Sequence, residues 1–356
     1  MQPYVVVMAG GSGTRFWPAS RRGRPKQYLP IARGKVLLRE TIDRLGGWVP
    51  WERVLVVSAQ SQRELVRACL PELPPANLLA EPAARNTAPA VAWAAFEIAR
   101  RDPTAGMVVL AADHVIEPPD AFRRSLQAGL AEAETSGALI TFGIRPTHPA
   151  TGYGYIEVGS RVAERGGIPV HAVARFVEKP DRARAEQFLS SGRFLWNAGI
   201  FAWRADAILA AFRAHLPVVL AGLERVRSGA ELDALWPTLP SVPVDTAILE
   251  RASNVRTLPI DYAWNDVGSW SALPEIATPD AQGNYAFLSG GARLIAHDAS
   301  GCVAYGEGEG LLALVGVKDL VVVRAGNALL VCPRERAQDV KKIVEALERD
   351  GAREFL

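Results

Sequence analysis

Apolar runs of three to four residues recur through the first half of the chain. Val5-Val6-Val7, Val54-Leu55-Val56-Val57, Met107-Val108-Val109-Leu110 and Leu139-Ile140-Thr141-Phe142 are rich in β-branched residues. Unbroken apolar runs of this length predict strands buried on both faces. Helical segments are predicted between them, around residues 36–45, 61–70, 87–101 and 119–135. Such alternation predicts an α/β fold, an open and largely parallel sheet with helices on both faces. Its ligand should lie beyond the C-terminal strand ends. Val173 to Val177 adds a strand, residues 205–240 read as helical, and Val244 to Glu250 reads as a further strand.

The pattern changes near Thr278 to Asn284. Beyond it, short β-rich runs broken by glycines lead to Leu320-Val321-Val322-Val323 and Ala328-Leu329-Leu330-Val331. No clean six-residue repeat can be counted. A final helix is predicted where Val340, Ile343, Val344 and Leu347 fall at i, i+3, i+4 and i+7. That face must bury against the main domain or another subunit. The expected division is one domain over residues 1–280 and a small β-rich segment with a terminal helix over 281–356.

Composition narrows the function classes. The formal charge of +2 gives no electrostatic case for nucleic acid or a membrane surface. No apolar run is long enough to span a bilayer. Met1-Gln2-Pro3-Tyr4 enters a strand at once, unlike a signal peptide. The 3 cysteines are scattered and odd in number, which predicts a reducing, cytoplasmic setting and offers no zinc spacing. Lysine is scarce, only Lys26, Lys35, Lys179, Lys318, Lys341 and Lys342, so a lysine inside a motif is informative.

The first apolar run ends in Met8-Ala9-Gly10-Gly11-Ser12-Gly13-Thr14-Arg15. Bare backbone in such a loop lets several N–H groups approach one polyanion. Arg15 and Lys26 supply cations within reach. This is the layout of a nucleotide phosphate site at the end of a first strand. It is not a Walker A loop, which requires a Gly-Lys-Ser/Thr ending, and it lacks the third glycine of a dinucleotide fingerprint.

Gly-Gly-x-Gly-Thr-Arg followed by Pro25-Lys26 resembles the signature of sugar nucleotidyltransferases. Phe16-Trp17-Pro18-x-Ser20 and Pro25-Lys26-Gln27-Tyr28 resemble the mannose-1-phosphate guanylyltransferase branch. Later stretches keep to the family's order: Glu81-Pro82-x-x-Arg85-Asn86-Thr87-Ala88, Asp113, Thr151-Gly152-Tyr153-Gly154, Glu178-Lys179-Pro180, Asn197-Ala198-Gly199 and Trp264-Asn265-Asp266-Val267-Gly268. The resemblance implies a Rossmann-like sheet followed by a short left-handed β-helix coil. Its bifunctional members carry a further isomerase domain, for which these residues hold no sequence.

The resemblance also implies roles. Ala9, Gly10, Gly11, Ser12, Gly13 and Thr14 would hold the triphosphate with Arg15. Glu81, Arg85, Asn86 and Thr87 would contact the nucleotide, although Asn86 or Thr87 can equally cap the following helix. Tyr153, Gly154, Glu178, Lys179, Asn197 and Gly199 would contact the sugar phosphate. Asp113 and Asp266 would bind Mg²⁺, with Gly268 allowing a sharp turn beside Asp266. Glu250 would support the site, and His114 reads as a structural neighbour. Lys26, a solvated cation, and Lys179 would neutralise the reacting phosphates. Arg15, Lys26, Asp113 and Asp266 form the expected catalytic set.

The implied reaction joins GTP and mannose 1-phosphate to give GDP-mannose and pyrophosphate. No general base is needed, because a phosphate with a second pKa near 6 is already ionised at neutral pH. A homo-oligomer, a dimer through the C-terminal region, is expected. Two alternatives stand beside this: a hexose-1-phosphate enzyme using glucose 1-phosphate with UTP or dTTP, and a silent regulatory subunit that binds nucleotide sugar.

Overall fold

The computed structural model describes residues 3–11, 13–32 and 34–356. Its first half alternates as the apolar pattern requires: β1 (Tyr4–Met8), α1 (Leu37–Asp43), β2 (Val54–Ala59), α2 (Arg63–Cys69), β3 (Leu78–Glu81), α3 (Thr87–Arg101) and β4 (Gly106–Ala111). Then come β5 (Val115–Glu117), α4 (Pro119–Ser136), β6 (Leu139–Ile144), β7 (Tyr155–Arg165), β8 (Ile168–Val177), α5 (Arg182–Ser191) and β9 (Phe194–Arg204). Three helices follow, α6 (Ala205–His215), α7 (Pro217–Leu223) and α8 (Gly229–Leu235), and then β10 (Val255–Ile260) and β11 (Ala263–Asn265).

Among the described residues, nine strands form one sheet in the order β3-β2-β1-β4-β9-β6-β10-β8-β7. The half built from β3, β2, β1 and β4 is parallel, as is the β6–β10 pair, while β9 runs antiparallel between β4 and β6. The unbroken apolar strands have a direct cause. Successive side chains point to opposite faces. Tyr4 and Val6 pack with α3, α6 and α7, whereas Val5 and Val7 pack with α1, α2 and α4.

Local signals set the helix ends. The Asn86 side chain accepts the Thr87 N–H at 2.9 Å and starts α3. The Asp181 carboxylate accepts the Arg184 N–H at 2.8 Å and starts α5. Gly137 and Gly192, both left-handed, end α4 and α5. Val244 to Glu250 does not form the expected strand. Asp245–Leu249 is a π-helical turn, a form that recurs at functional sites. No single helix among the described residues is long and apolar enough to cross a membrane.

The C-terminal part contains β12 (Tyr285–Leu288), β13 (Ala292–His297), β14 (Val303–Gly306), β15 (Gly310–Val315), β16 (Leu320–Ala325), β17 (Ala328–Pro333) and α9 (Val340–Arg349). Parallel register pairs Tyr285 with Val303 and Val303 with Val321, so the coil repeats every 18 residues. The β13–β15 pair keeps the same spacing, Ala292 with Gly310. This β-helix-like coil ends in the antiparallel β16–β17 hairpin.

The coil and α9 pack onto the segment that follows the glycine-rich loop. Phe16 and Trp17 share one buried cluster with Trp270, Tyr305, Val340 and Val344. Ring centroids lie 4.7 Å apart for Phe16–Trp270 and 5.1 Å apart for Trp270–Tyr305. Both Glu307 oxygens accept from Arg24 at 2.8 Å. On α9, Val340 and Val344 bury against the chain's own core. Ile343, expected on that face, is 45% exposed, because the apolar contact is narrower than the periodicity suggested.

Trp270→Ala should remove the indole that joins the two parts. The expected loss is about 3–5 kcal/mol, the scale for a buried aromatic cut to alanine. Leu311→Ala, at an exposed coil position, should stay within about 0.5 kcal/mol. Urea denaturation of the two variants measures the difference.

Candidate active site

Three segments converge beyond the C-terminal ends of β1 and β4. The first is the glycine-rich loop. Ala9 follows β1, and its carbonyl accepts the Gln27 amide at 2.7 Å. Gly10 and Gly11 are exposed, and Ser12 lies outside the described residues. Gly13 has φ +60°, and a Cβ there would sit 2.4 Å from the Lys26 Cβ and 2.8 Å from its backbone nitrogen. Residue 13 is therefore held to glycine by the close passage of the Lys26 segment. Thr14–Phe16 then forms a 3-10 turn that leaves Arg15 exposed.

Lys26 is the second element, and it is not the solvated cation expected. Its side chain is 8% exposed. The ammonium donates to Asp113 Oδ2 at 2.7 Å, to the Asp266 carbonyl at 2.8 Å and to the Val267 carbonyl at 2.9 Å. An ammonium has three N–H groups, and all are engaged. Burial would raise the pKa of the Asp113 carboxyl, but Lys26, with His114, outweighs it and holds the group below its ordinary value. His114 itself is pulled down by burial, and its Nδ1 accepts the Trp264 indole N–H at 3.2 Å.

The third element is the turn after β11. Strands β5 and β11 pair antiparallel, with Asn265 opposite Val115. Because β5 begins just after Asp113, this ladder carries Asp266 to the end of β4. Two carboxylates 153 positions apart thus reach one cavity of about 360 Å³, which Gly13, Arg15 and Lys26 also line. The sharp turn is made by Val267, with φ +47°, and not by Gly268. A buried β-branched residue in that region is strained. The turn is supported by the Val267 N–H, which donates to Asn265 Oδ1 at 2.6 Å. Gly268 has another use: a Cβ there would lie 3.2–3.3 Å from the Asp266 carboxylate oxygens.

Asp266 Oδ1 accepts the Tyr153 hydroxyl at 3.0 Å. Burial, then the Asp266 charge, keeps that phenol well above its ordinary pKa and so protonated. Asp266 Oδ2 makes no hydrogen bond among the described residues, and Asp113 Oδ1 lies 3.9 Å from His114 Nε2. Two carboxylates on one cavity suit a hard divalent cation that takes its other ligands from phosphate and water. No group of three or more His, Cys, Asp or Glu side chains forms a ready metal cage among the described residues.

A second cavity, of about 230 Å³, is lined by Tyr153, Gly154, Glu178, Asn197, Gly199 and Asp245, among others. Asn197 is fixed on both sides. Its Oδ1 accepts from Thr141 at 3.0 Å and from the Gly199 N–H at 3.2 Å, and its Nδ2 donates to Asp245 Oδ1 at 2.7 Å. A Cβ at Gly154 would meet Glu178 Oε2 at 2.5 Å. Glu178 pairs with the exposed Lys179 at 2.9 Å. Lys179, at φ +45°, lines a third cavity of about 1170 Å³ together with Arg15 and Trp196. Asp266 lines all three cavities.

The sequence pattern assigns Asp245 no role, yet it lines this cavity. Burial first, then the neighbouring Glu178 charge, pushes its carboxyl up to about 6. The available signal was a lone carboxylate inside an apolar run. Glu250, outside that cavity, has its carboxyl raised by burial.

The nucleotide candidates spread along the neighbouring strand ends. Glu81 ends β3 beside Gly10, where a Cβ would meet its Oε2 at 3.1 Å. Burial pushes its carboxyl up to about 7. Thr87 lines the second cavity, and its Oγ1 accepts the Val244 N–H at 2.9 Å. Asn86 caps α3 at φ +62°. Arg85 turns to the Pro237 carbonyl and lines none of these three cavities.

Residues 4–283 match the nucleotidyl transferase family, and residues 292–347 match the mannoseP isomerase/GMP-like beta-helix domain. The chain is 41% identical over 363 residues to a mannose-1-phosphate guanylyltransferase of Escherichia coli K12, covering 99% of this chain and 74% of the relative. It is 36% identical over 359 residues to the alginate biosynthesis protein AlgA of Pseudomonas aeruginosa, covering 98% and 73%. A crystal structure of a "mannose-1-phosphate geranyltransferase" from Thermus thermophilus superposes with a TM-score of 0.88 at 37% identity, over 98% of this chain and 100% of that one. A mannose-6-phosphate isomerase structure from Helicobacter pylori, at 22% identity and a TM-score of 0.60, shares the fold over 74% of this chain and 99% of that one. Nucleotide and sugar-phosphate substrates fit such relatives, and nucleotidyltransferases commonly use a divalent metal. This chain belongs to the mannose-1-phosphate guanylyltransferase family of nucleotidyltransferases.

Proposed function

We propose that the chain transfers GMP from GTP to mannose 1-phosphate, releasing pyrophosphate. The observation that carries this reading is the shared cavity of Arg15, Lys26, Asp113 and Asp266, with the sugar-sized cavity joined to it at Asp266. An oxygen of the sugar phosphate attacks the α-phosphorus in line. It is ionised at neutral pH and needs no base. Catalysis is then positioning and charge neutralisation. Asn197, Glu178, Tyr153 and Asp245 orient the sugar. Arg15 and the loop backbone of residues 9–14 hold the triphosphate. Asp113 and Asp266 would hold Mg²⁺, which supplies positive charge to the phosphates when bound.

Glu81 supports the choice of base. Guanine presents N1–H and N2–H as adjacent donors, which one ionised carboxylate accepts together. Uracil and thymine present one N–H between two carbonyls. Glu81 is buried at the strand end and has no hydrogen-bond partner among the described residues. A cytoplasmic location fits the 3 free cysteines. A dimer through the C-terminal region is supported by exposed Ile295, Leu311 and Val315 on β13 and β15. We place the boundary between the two parts near residue 280, where the strand pattern changes.

A pyrophosphate-release assay over a grid of nucleoside triphosphates and sugar phosphates tests the reading. GTP with mannose 1-phosphate should exceed every other pair by a wide margin. Equal turnover with dTTP and glucose 1-phosphate would defeat it, and no turnover with any pair would favour the regulatory reading. The Glu81 contact adds a pH signature. Glu81 must be ionised to accept both donors, so the KM for GTP should rise as pH falls from 8 to 6, approaching tenfold per unit below about 7. Glu81→Gln should flatten that rise and narrow the preference for GTP. Titration of the triphosphate itself is common to both proteins and cancels in their ratio.

The two carboxylates make a second test. Asp113→Asn and Asp266→Asn should each lower kcat roughly a hundredfold or more. Because both would act through one ion, the double variant should lose much less than the sum of the singles in free energy. Simple additivity, with unchanged Mg²⁺ dependence, would show that they do not share a ligand.

A further inference from the structure

The phosphate cavity is not built from the nucleotidyltransferase part alone. Beside Gly13, Arg15, Lys26, Asp113 and Asp266 it is lined by Lys341, from the first turn of α9. That helix is fastened to both loops that border the cavity. Val340 and Val344 bury with Phe16, Trp17 and Trp270. Just before the helix the Gln338 amide donates to Ser269 Oγ at 3.2 Å, and beyond its end the Phe355 carbonyl accepts the Trp17 indole N–H at 2.7 Å. The position of Lys341 is thus set by the packing that sets the glycine-rich loop.

A role in folding does not account for this lysine. A cation in the first turn of a helix opposes the helix dipole. Its ion pair is with Glu345 at 3.3 Å, i to i+4, with both side chains more than half exposed. Exposed pairs of that kind contribute little, and Lys preceding Glu is the poorer order. Charge at the cavity is also short. The Lys26 ammonium is committed to Asp113 and to two carbonyls, and of the remaining lining cations Arg15 is exposed. A departing pyrophosphate carries several negative charges.

We propose that Lys341 contacts the β- and γ-phosphates and neutralises the leaving pyrophosphate, so that the C-terminal helix completes the active site. The proposal rests on the nucleotidyl-transfer reading. In that step a bond forms between a sugar-phosphate oxygen and the α-phosphorus. The bond from the α-phosphorus to the β-bridging oxygen breaks, and its electron pair leaves on pyrophosphate. No proton moves, and Lys341 meets the departing charge as an ammonium.

Calorimetric titration of pyrophosphate into the chain of residues 1–356 tests this without requiring turnover. Lys341→Ala should weaken binding tenfold or more, and Lys341→Arg should retain most of it. Lys342→Ala is the control: Lys342 is exposed, pairs with Asp339 at 2.7 Å and does not line the cavity. It should bind as the wild type does, and all three should melt as the wild type does. In pyrophosphorolysis of GDP-mannose, Lys341→Ala should raise the KM for pyrophosphate tenfold or more and leave that for GDP-mannose unchanged. Equal pyrophosphate affinity in Lys341→Ala and wild type overturns the proposal, as does a wild type that binds no pyrophosphate. A wild type that binds pyrophosphate through Lys341 but turns over no GTP with mannose 1-phosphate overturns the choice of substrates and leaves this contact standing.

Discussion

The arrangement depends on one buried ammonium. Lys26 joins the end of β4 through Asp113 to the turn after β11 through the Asp266 and Val267 carbonyls. Several costly features exist to make that junction possible. Residue 13 must lack a Cβ so that the Lys26 backbone can pass. Val267 must adopt a left-handed conformation, and its carbonyl and that of Asp266 both receive Lys26. A buried ammonium without partners would be strongly unfavourable, so the three acceptors and the lysine require one another.

The C-terminal part bears on the same junction. Trp270 follows the strained turn by three residues, and its indole N–H donates to the Trp17 carbonyl at 3.1 Å. Phe16 and Tyr305, from β14, both pack against it. Strain of order 1–3 kcal/mol at one residue persists only where surrounding packing over-determines it. The coil and α9 supply such packing around both the loop after β1 and the turn after β11. This is a physical reason for the two parts to form one unit around the phosphate site.

Much of this was legible in the sequence. Short β-branched runs gave β1, β2, β4 and β6, because strands covered on both faces have no polar side to interrupt them. The start of α3 follows from a cap at Asn86 or Thr87, and Asn86 is the one used. Other features depend on tertiary contacts that no local pattern encodes. Asp113 and Asp266 meet through the β5–β11 ladder, whose strands span three residues each and give almost no periodic signal. The Val267 turn runs against β-branched preference, so Gly268 was the natural but mistaken choice. The burial of Lys26 could not be read from a charged residue in a loop. The coil escaped a six-residue count because its regularity appears as paired strands 18 residues apart.

The Lys26 junction is tested by a joint measurement of stability and turnover in Lys26→Gln, Asp113→Asn and the double variant. Lys26→Gln should lose about 2–3 kcal/mol in chemical denaturation, the scale for removing a charged hydrogen-bonding partner, and also most of its turnover. The double variant should be destabilised by much less than the sum of the singles, since the two residues form one contact. Unchanged stability with lost turnover, and additive effects in the pair, would contradict the junction and return Lys26 to a solvated cation beside the phosphates.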